Sequence, residues 1–376
     1  MQTLLNVPQG RFEIQRLPYR KNDQLKAWDA ADEYLLAYLS EQGILSEASR
    51  LVILNDKFGA LATALSAFFP VAISDSWLSQ QATKINLGLN NLSQGSVQLF
   101  GSLKWPSQLF DVVLIKIPKT LALLEDQLIR LNAVITPSTT IIAAGMVKAM
   151  SANVWKLLEK HLGQTKPSLA KKKARLIFVD LDAQREHFKN PYPVYYALEN
   201  TAYRICNHAN VFSRESLDIG TRFLLEHLPK NTQAKDIVDL GCGNGVVGLM
   251  LAESHDSAQI KFVDESYMAV CSAKENFTQA FGNRSAEFCV TDGLTTFKPE
   301  SIDLIVCNPP FHQQNTVGNQ IASSMFKQSY RVLRKAGSLW VIGNRHLSYH
   351  IDLKRLFGNC QEIASNKKFV IWQVKK

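Results

Sequence analysis

The residues best placed to do chemistry are Asn308, Pro309, Pro310 and Phe311, which follow the apolar run Ile302-Asp303-Leu304-Ile305-Val306-Cys307. Neither proline has an N–H for a sheet ladder, so a strand must stop there. Asn308 precedes a proline, and its backbone is pushed toward an extended conformation. The product is a stiff turn. It fixes the Asn308 side chain and the Pro309 carbonyl as hydrogen-bond acceptors, with an aromatic ring beside them. Such a turn can grip a planar molecule by an exocyclic NH2. The same residues also suit a plain proline-terminated strand, so other parts of the chain must decide.

A second group of residues describes what would react with that NH2. Asp239-Leu240-Gly241-Cys242-Gly243-Asn244-Gly245 lies between an apolar strand and a helix. The glycines let the backbone turn tightly and approach a ligand closely. Their spacing is not G-x-G-x-x-G, and Asp239 ahead of them suits a ligand with a cationic amino group. Asp264-Glu265 ends the next strand, where an acid can take both hydroxyls of a ribose. Asp292-Gly293 ends the third, where Asp292 can accept from an adenine NH2. Amino acid, ribose and adenine across three strand ends describe S-adenosylmethionine. The segment containing Phe212 and Ser213 precedes the first of these strands and is expected to fold over the cofactor.

The two groups together imply methyl transfer to a planar nitrogen. An exocyclic NH2 is a weak nucleophile, because its lone pair is delocalised into the ring. Acceptors at Asn308 and Pro309 would bind its hydrogens and aim the lone pair, while Phe311 stacks on the base. Positioning and electrostatics carry such a step, with no strong general base. A positional or surface role suits His312 better than catalysis. A base inside a helix cannot reach such a pocket, so the substrate is single-stranded or has its nucleotide flipped out.

Apolar strands alternate with helical repeats along the whole chain, which predicts parallel sheets covered on both faces. The periodicity predicts a helix over 23–42, a strand over 50–55, a helix over 60–69 and a hairpin over 194–206. The order of elements repeats at a spacing of roughly 190 residues. Ile53 to Gly59 stands where Asp239 to Gly245 stands, and Asp111 to Pro118 parallels Asp303 to Pro310. The first copy has lost the glycines and carries Lys116-Ile117-Pro118-Lys119 in place of Asn-Pro-Pro-Phe. These correspondences predict a degenerate domain over 1–180 that helps capture RNA, a linker and hairpin over 181–212, and a catalytic domain over 213–376.

The bulk properties fit this reading. The net charge of +9 favours a polyanionic partner, and the N-terminal half carries more of the excess. Its densest cluster is Lys171, Lys172, Lys173 and Arg175, the candidate RNA contact. The six cysteines form no C-x-x-C pair, so we expect reduced thiols and no metal site. No window reaches a membrane span, and Met1 to Pro8 does not read as a secretory signal. A cytoplasmic protein with no obligate protein partner is expected.

On these motifs the chain resembles the duplicated class I methyltransferases that make N2-methylguanosine in bacterial ribosomal RNA. The resemblance rests on Leu54 to Leu61, Pro118 to Glu125, Asn308 to Gln314, Asn344 to Leu347 and the Asp239–Gly245 loop. It implies two tandem Rossmann-like α/β domains, each a mostly parallel seven-stranded sheet flanked by helices. It also implies S-adenosylmethionine-dependent methylation of the N2 atom of one guanine in 23S rRNA, at rRNA position 1835. Gln313-Gln314 separates the chain from the small-subunit relatives. Three other readings compete: a 16S rRNA guanine-N2 enzyme, an adenine-N6 or protein glutamine methyltransferase, and an RNA-binding assembly protein with a vestigial site.

Overall fold

The computed structural model describes residues 3–19, 25–186, 188–230, 232–310 and 316–376, the side chains of 316–319 excepted. Phe311, His312, Gln313 and Gln314 lie outside the described residues. The chain forms two compact units, Met1–Tyr192 and Pro193–Lys376.

The first unit begins with a hairpin of β1 (Leu4–Val7) and β2 (Gly10–Glu13). Then come α1 (Ala30–Glu41), β3 (Leu51–Leu54), α2 (Ala60–Ala64), β4 (Val71–Ser74), α3 (Trp77–Leu89) and β5 (Gln98–Gly101). The unit ends with β6 (Phe110–Lys116), α4 (Leu121–Leu131), β7 (Ile135–Met146), α5 (Ala152–His161), β8 (Gly163–Pro167) and β9 (Ala174–Leu181). Its seven-stranded sheet runs β5-β4-β3-β6-β7-β9-β8, with β9 antiparallel to both β7 and β8 and the other pairings parallel.

The second unit opens on a hairpin of β10 (Val194–Ala197) and β11 (Arg204–Asn207). It continues through α6 (Ile219–Glu226), β12 (Asp236–Leu240), α7 (Val246–Ser254), β13 (Gln259–Asp264), α8 (Tyr267–Phe281) and β14 (Ala286–Val290). The remainder is β15 (Ile302–Cys307), α9 (Thr316–Val332), β16 (Leu333–Asn344), α10 (Tyr349–Phe357), β17 (Gln361–Ser365) and β18 (Phe369–Lys375). The sheet order, β14-β13-β12-β15-β16-β18-β17, is that of the first unit.

Each sheet buries both faces. Leu51 and Ile53 pack into one core of the first unit, and Val52 and Leu54 into the other. Leu304 and Val306 of β15 likewise face one core, and Ile305 and Cys307 the opposite one. Continuous apolar runs are therefore what central parallel strands require. No helix among the described residues is long and apolar enough to cross a membrane.

Local chemistry trims two of the expected helices. The apolar repeat starts near Leu25, but Asp29 accepts from the Ala31 and Asp32 N–H groups and starts α1 at Ala30. The second helix stops at Ala64 and gives way to a 3-10 turn over Ser66–Phe68. Residues 181–192 stay with the first unit and 193–212 with the second.

The correspondence between the units reaches into their hydrogen bonds. In the first, Asn86 of α3 donates to the Gln15 and Phe58 carbonyls and accepts from Gln15 N–H. In the second, Asn276 of α8 donates to the Cys206 and Asn244 carbonyls and accepts from Cys206 N–H. One buried asparagine thus ties hairpin, helix and strand-end loop together in each unit. Asn86→Ala leaves three backbone groups, the Phe58 carbonyl among them buried, without this partner and costs about 2 kcal/mol. The expected outcome is a lower unfolding temperature for the first unit in calorimetry.

Candidate active site

In the second sheet the chain order reverses between β12 and β15, which leaves a crevice at their carboxyl ends. The glycine loop and the Asn308 turn both open onto it. Gly241, Gly243 and Gly245 all have positive φ, at 73°, 53° and 79°. Two of them do different work. A Cβ on Gly245 would lie 2.7 Å from the Ala273 Cβ of α8, so this glycine lets α7 and α8 pack. A Cβ on Gly243 would meet nothing within 4 Å, so its face is open.

The acids expected at the strand ends organise this loop. Asp264 accepts from Gly243 N–H at 3.0 Å through one oxygen and from Ser266 N–H through the other. Asp239 is buried and accepts from Gly248 N–H in the first turn of α7, at 2.8 Å. Burial pushes the Asp239 carboxyl up to about 7, against the Gly248 hydrogen bond and with the charge of Asp264 adding to it. Burial alone raises the Asp292 carboxyl. Cys242 is buried in the core.

Some expected ligand residues have other partners. Asn244 donates to the Asn207 side chain at 2.9 Å and to the Tyr196 hydroxyl at 3.1 Å, so its amide anchors the hairpin. Gly293 has a φ of 54° and leaves room for Gln328 of α9. Ser213 donates to the Ser216 carbonyl. Phe212 is 69% exposed, a large apolar ring held in solvent. Its segment is tied at one end to α8, where His208 N–H meets Ser272 and Asn210 N–H meets Met268 Sδ.

Asn308 stands at the end of β15, with Pro309 buried and Pro310 exposed. Its Nδ2 donates to Thr221 Oγ1 of α6 at 2.9 Å. Its Oδ1 is buried and has no partner among the described residues. A buried unpaired acceptor costs about 1–3 kcal/mol and calls for a donor from elsewhere. Asn344, the last residue of the neighbouring β16, carries a second such atom: its Oδ1 is also buried without a partner among the described residues. In the sequence Asn344 is marked only by family likeness. The signal lay in its counterpart, Met146, the last residue of β7.

The first unit shows the same place closed from within. Asn55 has a φ of 64° where Gly241 stands, and its amide exchanges hydrogen bonds with Gln127. Asp56 accepts from the Ala62 N–H, the bond that Asp239 makes to Gly248. Lys116, in the place of Asn308, donates to Asp29 at 2.8 Å and Asp32 at 2.6 Å. Burial works against the Lys116 charge, but the two carboxylates outweigh it and raise its pKa.

The basic cluster is the turn between β8 and β9. Lys172 pairs with Glu33 at 2.9 Å, and Lys171 lies over the Tyr34 ring. Arg175 Nε is buried without a partner among the described residues. Cys206 and His208, two residues apart, and the distant Glu275 come within reach of one metal ion. There Glu275 accepts from the Cys206 thiol and pairs with His208, each at 3.0 Å.

Comparison with known proteins defines the class. The Methyltransferase small domain model matches residues 202–373, and the RLMG N-terminal domain model matches residues 2–183. The second unit is a methyltransferase domain. The chain is 47% identical over 374 residues to the ribosomal RNA large subunit methyltransferase G of Ectopseudomonas mendocina, covering 99% of this chain and 100% of that one. It is 47% identical over 378 residues to the protein of the same name from Aeromonas salmonicida, covering 100% of both. The chain belongs to the ribosomal RNA large subunit methyltransferase G family. A T. thermophilus 16S rRNA N2 methyltransferase, solved with AdoMet and guanosine, shares the fold with a TM-score of 0.75 at 19% identity. That match covers 100% of this chain and 97% of the other.

An acid whose folded pKa lies above its unfolded value destabilises the fold as pH rises between the two, because the unfolded chain loses its proton first. For Asp239 the window runs from its ordinary value of 3.8 to about 7. Asp239→Asn keeps an oxygen for Gly248 and removes this loss. The variant's stability relative to the parent protein therefore rises from about pH 4 to 7 and levels off above. Thermal unfolding of both proteins across this range checks it.

Proposed function

We propose that the chain methylates the exocyclic N2 of a single guanine in 23S rRNA, at rRNA position 1835, using S-adenosyl-L-methionine. The observation that carries the site assignment is the buried Asn308 Oδ1 at the mouth of the crevice. It is an acceptor with no donor among the described residues, beside a glycine loop with an open face.

The residues present suit the cofactor. Asp264 and Glu265 stand where the ribose hydroxyls would bind, and Asp292 where the adenine amine would. Gly241, Cys242, Gly243 and Asn244 supply the loop backbone beneath the amino acid portion. Asp239, buried with no cation paired to it among the described residues, gains from an ammonium nearby. Phe212 and Ser213 would cover this end of the cofactor. S-adenosyl-L-methionine supplies an electrophilic methyl group when bound.

The chain's own part is to hold the guanine amine. Asn308 Oδ1 and the Pro309 carbonyl accept its two hydrogens, so its lone pair is directed away from both. Pro310 stiffens the turn, Phe311 stacks on the base, and Asn344 offers a further acceptor to the guanine edge. Position and orientation then do most of the work. The positive balance of the chain favours RNA over a peptide substrate, and the intact loop weighs against a vestigial site. An rRNA substrate places the protein in the cytoplasm.

Labelled S-adenosyl-L-methionine with protein-free 23S rRNA, 16S rRNA or DNA separates the readings. Label should appear as N2-methylguanosine in 23S rRNA alone; N6-methyladenosine, or label in 16S rRNA, overturns the assignment. Asn308→Ala should bind cofactor normally while its turnover falls at least about 100-fold, the scale of losing one oriented active-site hydrogen bond.

RNA capture is assigned to the first unit, through the β8–β9 turn. Lys171 and Lys172 already have partners on α1, so Lys173 and Arg175 are the better candidates for phosphate. Lys173→Glu should weaken RNA binding and flatten its dependence on salt concentration, read by filter binding at several ionic strengths.

A further inference from the structure

We propose that Thr221 and Asp218 are positioning residues that set which way the Asn308 amide faces. The inference rests on the reading of Asn308 as the acceptor for the substrate amine.

The argument starts at the N-terminus of α6. Asp218 caps this helix, and its Oδ2 accepts from Thr221 N–H at 2.8 Å. The same oxygen lies 3.3 Å from Thr221 Oγ1. A carboxylate oxygen can only accept, so the threonine hydroxyl donates its single hydrogen to Asp218. Its lone pairs then face Asn308, 2.9 Å away. An oxygen lone pair repels the amide oxygen and attracts the amide NH2. Asn308 must therefore turn its nitrogen to Thr221, which leaves Oδ1 on the other side, buried and without a partner among the described residues. The polarity of one carboxylate is relayed through one hydroxyl into the orientation of one amide. If the amide were reversed, its NH2 would face the substrate amine, donor against donor, and the grip would be lost.

Packing holds the relay in place. Thr221 is buried. A Cβ on Gly220 would lie 3.0 Å from the Asp218 carboxylate and 3.1 Å from the Phe369 ring, so the glycine leaves room for both.

The first unit supplies an internal control. Its α1 has Asp29 at the N-cap and Asp32 three residues on, the places of Asp218 and Thr221. Both acids there bind Lys116, which replaces Asn308. In each unit the start of this helix grips the residue at the end of the fourth strand. Two acids select a cation that pairs with both. An acid and a hydroxyl select an amide and leave its oxygen available.

The test measures methyl transfer to protein-free 23S rRNA by the full-length protein. Thr221→Val keeps the shape and removes the hydroxyl. Its kcat should fall roughly 10- to 100-fold, the range expected when a reacting group is held less well. Its Kd for S-adenosyl-L-methionine should stay within about twofold, the ordinary scatter of a change with no ligand contact. Thr221→Ser restores the hydroxyl and should recover most of the rate. In an Asn308→Ala background, Thr221→Val should have little further effect, because the two residues act as one unit. Thr221→Ala, which adds no bulk, replaces the valine variant if that protein does not fold. A Thr221→Val enzyme with kcat unchanged, a serine variant no better than valine, or independent effects in the double variant would overturn the inference. Full activity in Asn308→Ala alone would instead remove the reading on which it rests.

Discussion

The crevice depends on one hydrogen bond between a buried acid and the first turn of a helix. Asp239 holds Gly248 N–H and so fixes α7 against the end of β12. The loop between them turns tightly, with its glycines at positive φ. Asp264 then holds the loop from the other side at Gly243. The first unit makes the equivalent bond from Asp56, three residues further along the corresponding stretch. Burial lifts both acids to about 7. That two different chain positions supply the same acid suggests the helix turn, rather than the residue, is what the fold requires.

Much of this was legible before any coordinates. The runs Leu51–Leu54 and Ile302–Cys307 announce central strands because both faces of a parallel sheet are buried. The turn at Asn308 follows from proline's missing N–H, and the duplication from strand ends that match in order while their chemistry differs. Helix starts were less legible. Apolar spacing near Leu25 continues a helical pattern that Asp29 overrides by capping later.

Partnerships between distant side chains were not legible. Thr221 lies 87 positions from Asn308 and looks like any residue in the first turn of a helix. Asn244 sits in a ligand-binding motif, yet its amide faces Asn207 and Tyr196 because the hairpin docks there. Lys172 reads as a solvated charge until α1 brings Glu33 beside it. In each case the residue type permits several partners, and only tertiary packing chooses among them.

The Lys116–Asp29–Asp32 cluster also bears on how a duplicated enzyme comes to have one silent half. An open site keeps an acceptor such as Asn308 Oδ1 unsatisfied, and that weakens the fold that bears it. A lysine at the same strand end brings its own hydrogens and charge, so the pocket is filled by the chain itself. The first copy thus closes with its own side chains the place that the second keeps open. Once the second copy retained the reaction, selection had no reason to resist the change. Decay of function and consolidation of the scaffold would then have been a single event, recorded at one position of one strand.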